Sequence, residues 1–311
     1  MIEDSEIKAQ ISPFAMREGE IKTFDGKDGY VSMNQIVHKI NIGHITDIHF
    51  EILELVNQFE FITSRQLYQM LEIKGIDAKS QDKLNNKLEA LVKSKILTRY
   101  YFTSEEGKGI YRIYCLEKMG KYLLNSKEIE CKWQPSDNTK PVPMIKKRLA
   151  GNQTLIAYLR KVKAFDDFIV KPSLTAKTAG KVFKATGGCV KLTKNGKSIQ
   201  FLFEVIRRET DWKKKLVDKM RLYQDFYANF VPGDSGFSAM PQLIFVCEDE
   251  KHMAETFREI VTNQVEIPQL KLYFTTDLRQ NEETLENTLV EFKLVDGKYR
   301  MENIELKLLG M

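Results

Sequence analysis

The chain has 311 residues, 42% hydrophobic and 29% charged, with a formal net charge of +5. This balance excludes a disordered or fibrous protein, and the length suits about two domains of ~100–200 residues. No stretch approaches the ~20 apolar residues of a membrane helix. The acidic start Met1-Ile-Glu-Asp-Ser-Glu6 also lacks a signal-peptide apolar run, so a cytoplasmic protein with no membrane partner is expected. Cys115, Cys131, Cys189 and Cys247 are far apart with no Cys-x-x-Cys pairing, and they read as reduced thiols rather than a zinc set.

Residues 1–45 mix charges with scattered apolar residues and read as an N-terminal extension. Phe14, Met16 and Ile21 could dock on a neighbouring domain. Residues 46–125 read as helix, helix, helix and hairpin. His49 to Val56 has helical spacing, and Thr63 or Ser64 starts a second helix. Ser80 caps a third, with Leu84, Leu88, Leu91 and Val92 on its buried face. The strands Ile96–Phe102 and Ile110–Tyr114 flank a Gly-rich turn at 105–109. Residues 126–143 hold three prolines and no helical period, which predicts a linker.

Residues 144–311 read as an α/β domain. A basic helix, Met144 to Lys163, precedes strands at 168–172 and 182–192 and an Asn195-Gly196 hairpin turn. The apolar run Ile199–Ile206 reads as a central strand covered on both faces, interrupted by one ionisable residue, Glu204. A helix follows with Trp212, Leu216, Met220, Tyr223, Tyr227 and Phe230 on one stripe. Gln242–Cys247 and Leu270–Thr275 are further strands on either side of a helix from Glu250, and Leu289 to Gly297 looks like terminal hairpin material.

Three helices followed by a hairpin with Gly and Lys at its tip resemble the winged helix-turn-helix class. That resemblance implies double-stranded DNA as partner, with the third helix in the major groove and the wing on phosphate. On that helix Lys83 and Lys87 would contact phosphate or guanine, and Gln81 and Asn86 adenine edges. Arg99, Lys108 and Arg112 are the wing candidates, and Lys146, Lys147 and Arg148 on the next helix are candidate phosphate contacts, as are Lys213 to Lys215. Such modules also dock proteins or dimerise, and Asp82 and Glu89 dilute the positive face.

The order of elements after 144 looks like the PD-(D/E)XK nuclease core, so the expected fold class is α+β: a winged helix, then a nuclease-like α/β domain. With the segment Phe201-Leu-Phe-Glu-Val-Ile-Arg-Arg-Glu-Thr210 and Thr275-Thr276-Asp277-Leu278, the whole resembles the plasmid replication-relaxation family. This implies a DNA-binding protein of a plasmid or other mobile element, acting in replication, mobilisation or their regulation. Replication or transfer proteins, or a second copy of the chain, are then possible partners.

A nuclease of this class needs an acid on the strand before Glu204 and a Lys two residues after it, to hold Mg²⁺ or Mn²⁺ and position water. Here the first position falls near Gly187-Gly188-Cys189, and the triplet reads Glu204-Val205-Ile206. Glu204 is therefore expected as a vestigial site residue, with no catalytic set and no cofactor. The enzyme alternative, a metal-dependent nicking endonuclease, would need Asp166, Asp167, Glu209 or Asp211 as second ligand. A third alternative is a protein-recruiting adaptor without DNA contact. The histidines share no ligand spacing, and no phosphate loop or dinucleotide Gly motif is present.

Overall fold

The computed structural model describes residues 12–104, 107–108, 111–161, 165, 167–194, 197–282, 284 and 287–304. The chain divides into two compact units, Arg17–Asn152 and a second that combines Gln153–Met311 with Met1–Met16. Both mix helix and sheet, giving an α+β protein. Among the described residues no helix is long and apolar enough to cross a membrane.

The first unit runs β1 (Ile21–Phe24), α1 (Met33–Asn41), α2 (Asp47–Phe59), β2 (Ile62–Thr63), α3 (Ser64–Ile73) and α4 (Gln81–Lys93). It continues with β3 (Leu97–Ser104), β4 (Gly107–Lys108), β5 (Ile113–Leu116), α5 (Lys118–Ser126) and the first half of α6 (Val142–Lys161). The helix starts follow from their caps. Thr63 accepts from Gln66 N while the Gln66 side chain accepts from Thr63 N, and Ser80 accepts from Lys83 N. One face of α4 is closed by Leu84, Leu88, Leu91 and Val92, as its spacing predicts. The sheet order is β1-β3-β5-β2, with β4 paired to β3. The expected hairpin turn residues 105, 106, 109 and 110 lie outside the described residues.

Two expectations need correction here. Within 1–45, β1 pairs with β3 along Ile21–Phe24, and α1 carries a full capping box at Ser32. Residues 126–143 do not behave as a linker, because their polar side chains find partners within the unit. Asn138 donates to Leu116 O at 2.9 Å, the Trp133 indole donates to Asn138 Oδ1, and Lys121 donates to Trp133 O. Proline interrupts helical periodicity there, and a 3-10 turn (Pro135–Thr139) carries the chain with Asn138 buried, although most side chains of the segment are exposed.

The second unit contains β6 (Asp167–Ile169), β7 (Ser173–Ala176), β8 (Lys181–Lys184), β9 (Cys189–Lys194), β10 (Lys197–Val205), α7 (Trp212–Ala228), β11 (Gln242–Cys247) and α8 (Glu250–Thr262). It ends with β12 (Tyr273–Thr276), α9 (Asp277–Glu282), β13 (Leu289–Val295) and β14 (Lys298–Ile304). The seven-stranded order is β14-β13-β12-β11-β10-β9-β6, with β10, β11 and β12 parallel and the others antiparallel. The parallel strands are the apolar runs, as burial on both faces requires. Leu202, Phe245 and Phe274 face the α7 and α8 side, where Met220, Tyr223, Met253 and Ile260 are buried. Phe201 and Phe203 face the other way, against Tyr158 of α6 at 6.1 and 4.7 Å between ring centres. The Asn195-Gly196 turn lies outside the described residues. The ribbon β7–β8 is a separate two-stranded sheet.

Gly187 and Gly188 extend the pairing of β9 with β10, since Gly187 N donates to Phe203 O and Phe203 N to Gly188 O. Gly188 sits at φ +85°, and a Cβ there would lie 2.6 Å from Leu155 Cδ1. Gly188→Ala should therefore destabilise the protein by about 3 kcal/mol or more, combining backbone strain with overpacking. Gly180→Ala, at φ +62° but in open space, should cost only about 1 kcal/mol. Denaturant midpoints of the two variants check this; equal losses would contradict the close-approach account.

Candidate functional site

Glu204 lies near the end of β10 on the α7 side and is 2% exposed. Four hydrogen bonds from three residues reach its carboxylate. Lys219 Nζ reaches Oε1 at 2.6 Å and Thr186 Oγ1 at 3.0 Å, while Tyr223 Oη reaches Oε2 at 2.8 Å and Thr186 N at 3.3 Å. Lys219 and Tyr223 are one turn apart on α7, so the amphipathic helix that covers β10 also delivers both donors. Burial, and then the adjacent Glu204 charge, push the Tyr223 phenol well above its ordinary range, so it remains a neutral donor.

The residues present do not fit a divalent cation. The acid position on the preceding strand is held by Gly187 and Gly188, where Phe203, Leu155 and the Ile169 carbonyl leave no room even for a Cβ. Of the possible second ligands, Glu209 pairs with Lys215 at 3.0 Å, Asp167 and Asp211 are exposed, and Asp166 lies outside the described residues. Among the described residues no group of three or more His, Cys, Asp or Glu could hold a metal. Lys219 supplies the positive charge that the carboxylate needs.

A second ionic cluster lies just past the ends of the three parallel strands; Arg207, Arg208 and Asp277 belong to the sequence segments 201–210 and 275–278, but nothing in the sequence brings them together. Arg207, which follows β10, is fully buried, donates to Val246 O, and bonds both oxygens of Asp277 at 2.7 and 2.9 Å. Its position opposite Glu204 follows from strand alternation. Burial raises the Asp277 pKa and the Arg207 charge opposes that rise. Arg208 grips Asp249 through two nitrogens, at 2.5 and 3.1 Å, and its backbone N–H donates to Glu248. Residues 12–16 complete the cluster: Ser12 Oγ donates to Asp277, and Met16 N to Glu248 at 3.2 Å. Nothing in the mixed composition of 1–45 distinguishes these residues. Only the Phe14 and Met16 docking expectation hints at them, and Phe14 is buried.

The expected DNA contacts divide sharply. Lys83 and Asn86 are exposed on α4, with Lys87 half-exposed and near enough to His49 to lower its pKa, after burial, the larger cause. Gln81 is turned inward, donating to Ser64 O and Asn85 Oδ1. Arg99 is a correction: it is buried and paired with Asp25 at 2.8 Å and Glu89 at 2.6 Å, because its place in β3 faces the sheet interior rather than the wing. Its hydrogen bond holds Glu89 below the usual carboxylate range. Arg112 is exposed but paired with Asp25 at 3.1 Å, and the side chain of Lys108 lies outside the described residues.

Lys146 and Arg148 are also corrections. Lys146 is 1% exposed, paired with Glu20 and 5.5 Å above the Phe102 ring, and Arg148 is buried beside Glu60. Both fall on the inward side of α6, a position that the basic composition of the helix does not reveal. Lys147 is half-buried. At the start of α7, Lys213 and Lys215 pair with Glu259 and Glu209, and Lys214 is exposed.

No family model matches the chain, and no curated protein matches it. Among solved structures it is similar to restriction endonuclease FokI at 8% identity and a TM-score of 0.26, over 85% of this chain and 54% of that one. The chain thus spans about half the length of that structure. A TM-score this low does not relate the two folds.

His252 gives the site a measurable pH signature. It is fully buried, its Nδ1 accepts from Glu248 N at 3.3 Å, and the Trp212 ring meets it edge-on at 4.8 Å. Burial, then the Arg208 and Arg207 charges, lower its pKa to about 3. The folded protein thus keeps His252 neutral where the unfolded chain protonates it. Its contribution to stability is complete above pH ~6.5 and is lost as pH falls toward about 3, at up to ~1.4 kcal/mol per pH unit. Urea unfolding from pH 7 to 4.5 should show that slope, and His252→Asn should flatten it. An unchanged slope in the variant would assign the loss to other groups.

Proposed function

We propose that the protein binds double-stranded DNA, that residues 46–125 form a winged helix, and that α4 is the helix entering the major groove. The observation that carries this reading is the division of α4 into two faces. Leu84, Leu88, Leu91 and Val92 are buried, while Lys83, Asn86 and Lys87 keep one turn of polar and cationic surface open. Three helices followed by the β3–β5 hairpin support the same reading.

The second unit, on this account, is a nuclease-like core of the PD-(D/E)XK type whose carboxylate has become structural. Its element order, and the binding of Glu204 by Lys219, Tyr223 and Thr186, support that assignment. The whole would then act as a DNA-binding protein of a mobile element, of the plasmid replication-relaxation kind. The nicking-endonuclease alternative is disfavoured by the filled surroundings of Glu204. The adaptor alternative draws its support from Arg99, Arg112, Lys146 and Arg148, whose charges are satisfied by acids of the same unit.

Lys83→Glu with Lys87→Glu should lower duplex affinity at least tenfold at fixed salt in a gel-shift, since each groove contact is worth ~1–3 kcal/mol. Both residues are exposed or half-exposed, so the melting temperature should stay nearly constant. Unchanged affinity would remove α4 from the interface.

A further inference from the structure

The positive charge of this protein is concentrated in one stretch of sequence. Residues 160–200 contain ten Lys or Arg and two acids, Asp166 and Asp167, a net +8 where the whole chain carries +5. The rest of the protein is therefore slightly acidic. Single lysines on a surface are usually just solvated, so the placement of this excess decides its meaning.

Its centre is the ribbon β7–β8. In register, Ser173 opposes Lys184 and Thr175 opposes Val182, and all four are exposed. Lys181 opposes the buried Ala176, so it belongs to the inner-face register, but at the turn end of the ribbon its side chain is exposed. The inner face is anchored: Leu174 is fully buried, and Phe183 meets Tyr223 edge-on at 5.1 Å. The turn is pinned as well. Thr178 N and Ala179 N donate to Asp225 at 3.1 and 2.7 Å, and Lys177 bonds Asp234 at 2.6 Å. Among the described residues neither Lys181 nor Lys184 forms an ion pair, in contrast to Lys146, Arg99 and Arg148. The ribbon is thus held in place with the Ser173 and Thr175 hydroxyls and the unneutralised Lys184 ammonium outward and with exposed Lys181 at its turn end, and residues 173–187 contain no acid.

We propose that the outer face of this ribbon, together with Lys181 at its exposed turn end, is a sugar-phosphate contact surface for duplex nucleic acid. Lysines and Ser/Thr hydroxyls are the side chains that bond phosphate oxygens without reading sequence. A two-stranded ribbon also has the width a major groove admits. Single strands are a poorer fit, because the outer face offers no aromatic ring for base stacking. Anionic lipid is likewise disfavoured, since Val182 is the one large apolar side chain there. The proposal rests on the duplex-DNA reading but not on α4.

The test uses the full chain and a duplex of random sequence, with affinity followed between about 50 and 200 mM salt. Lys181→Gln with Lys184→Gln should weaken binding similarly for every duplex. It should also reduce the slope of log affinity against log salt by about 2, near 0.9 for each phosphate contact removed. Lys251→Gln, at an exposed position of α8, should leave the slope unchanged. An unchanged slope in the ribbon variant overturns the proposal, as does a wild-type protein that binds anionic vesicles but no duplex. If the ribbon variant behaves as wild type while Lys83→Glu with Lys87→Glu loses affinity, the ribbon fails and α4 stands. The opposite pattern removes α4 and keeps the ribbon.

Discussion

The second unit depends on how one buried carboxylate is neutralised. Glu204 sits in a central parallel strand, where an uncompensated charge would cost several kcal/mol. Lys219 and Tyr223 from α7, with Thr186 from the turn before β9, bring donors to both oxygens. This contact fixes the rotation of α7 over β10 and closes the end of β9 onto it. With an ammonium at 2.6 Å and, among the described residues, no second acid grouped with it, the carboxylate ties the layers together.

The same logic recurs past the strand ends. Arg207 and Asp277 span from the end of β10 to the end of β12, and Ser12 adds a third partner. Buried pairs of this kind contribute little net energy compared with apolar packing, but breaking one partner leaves the other stranded. In the first unit Lys146 with Glu20 and Arg99 with Asp25 and Glu89 follow the same pattern. Much of the basic character of the chain is therefore internal. Exposed positive charge remains on α4, beside Asp82, and on the β7–β8 ribbon, where residues 173–187 contain no acid.

Much of the fold was legible because its signals are local. Ser80 and the Leu84–Leu88–Leu91 spacing give α4, and the apolar runs at 199–206 and 242–247 give the two central parallel strands. Glu204 stood out as the one charge in such a run, and its lack of a companion acid was visible at Gly187-Gly188. What escaped depends on distant partners. Neither β1 nor the 12–16 segment has a periodic pattern; each is ordered by pairing with residues far along the chain. The inward turn of Lys146, Arg148 and Arg99 was equally hidden, because a basic residue reads as exposed until its acid is placed beside it. The Pro-rich 126–143 stretch misled for the opposite reason, as its polar groups are satisfied by neighbours such as Leu116.

The central claim is that Glu204 holds the fold together and does no chemistry. Glu204→Gln tests it most directly, with stability and metal-dependent nicking of supercoiled plasmid measured on the same preparations. The account predicts a loss of about 3 kcal/mol, since Lys219 loses its counter-charge, and no nicking by wild type with Mg²⁺ or Mn²⁺. Wild-type nicking that Glu204→Gln abolishes while stability is unchanged would contradict it.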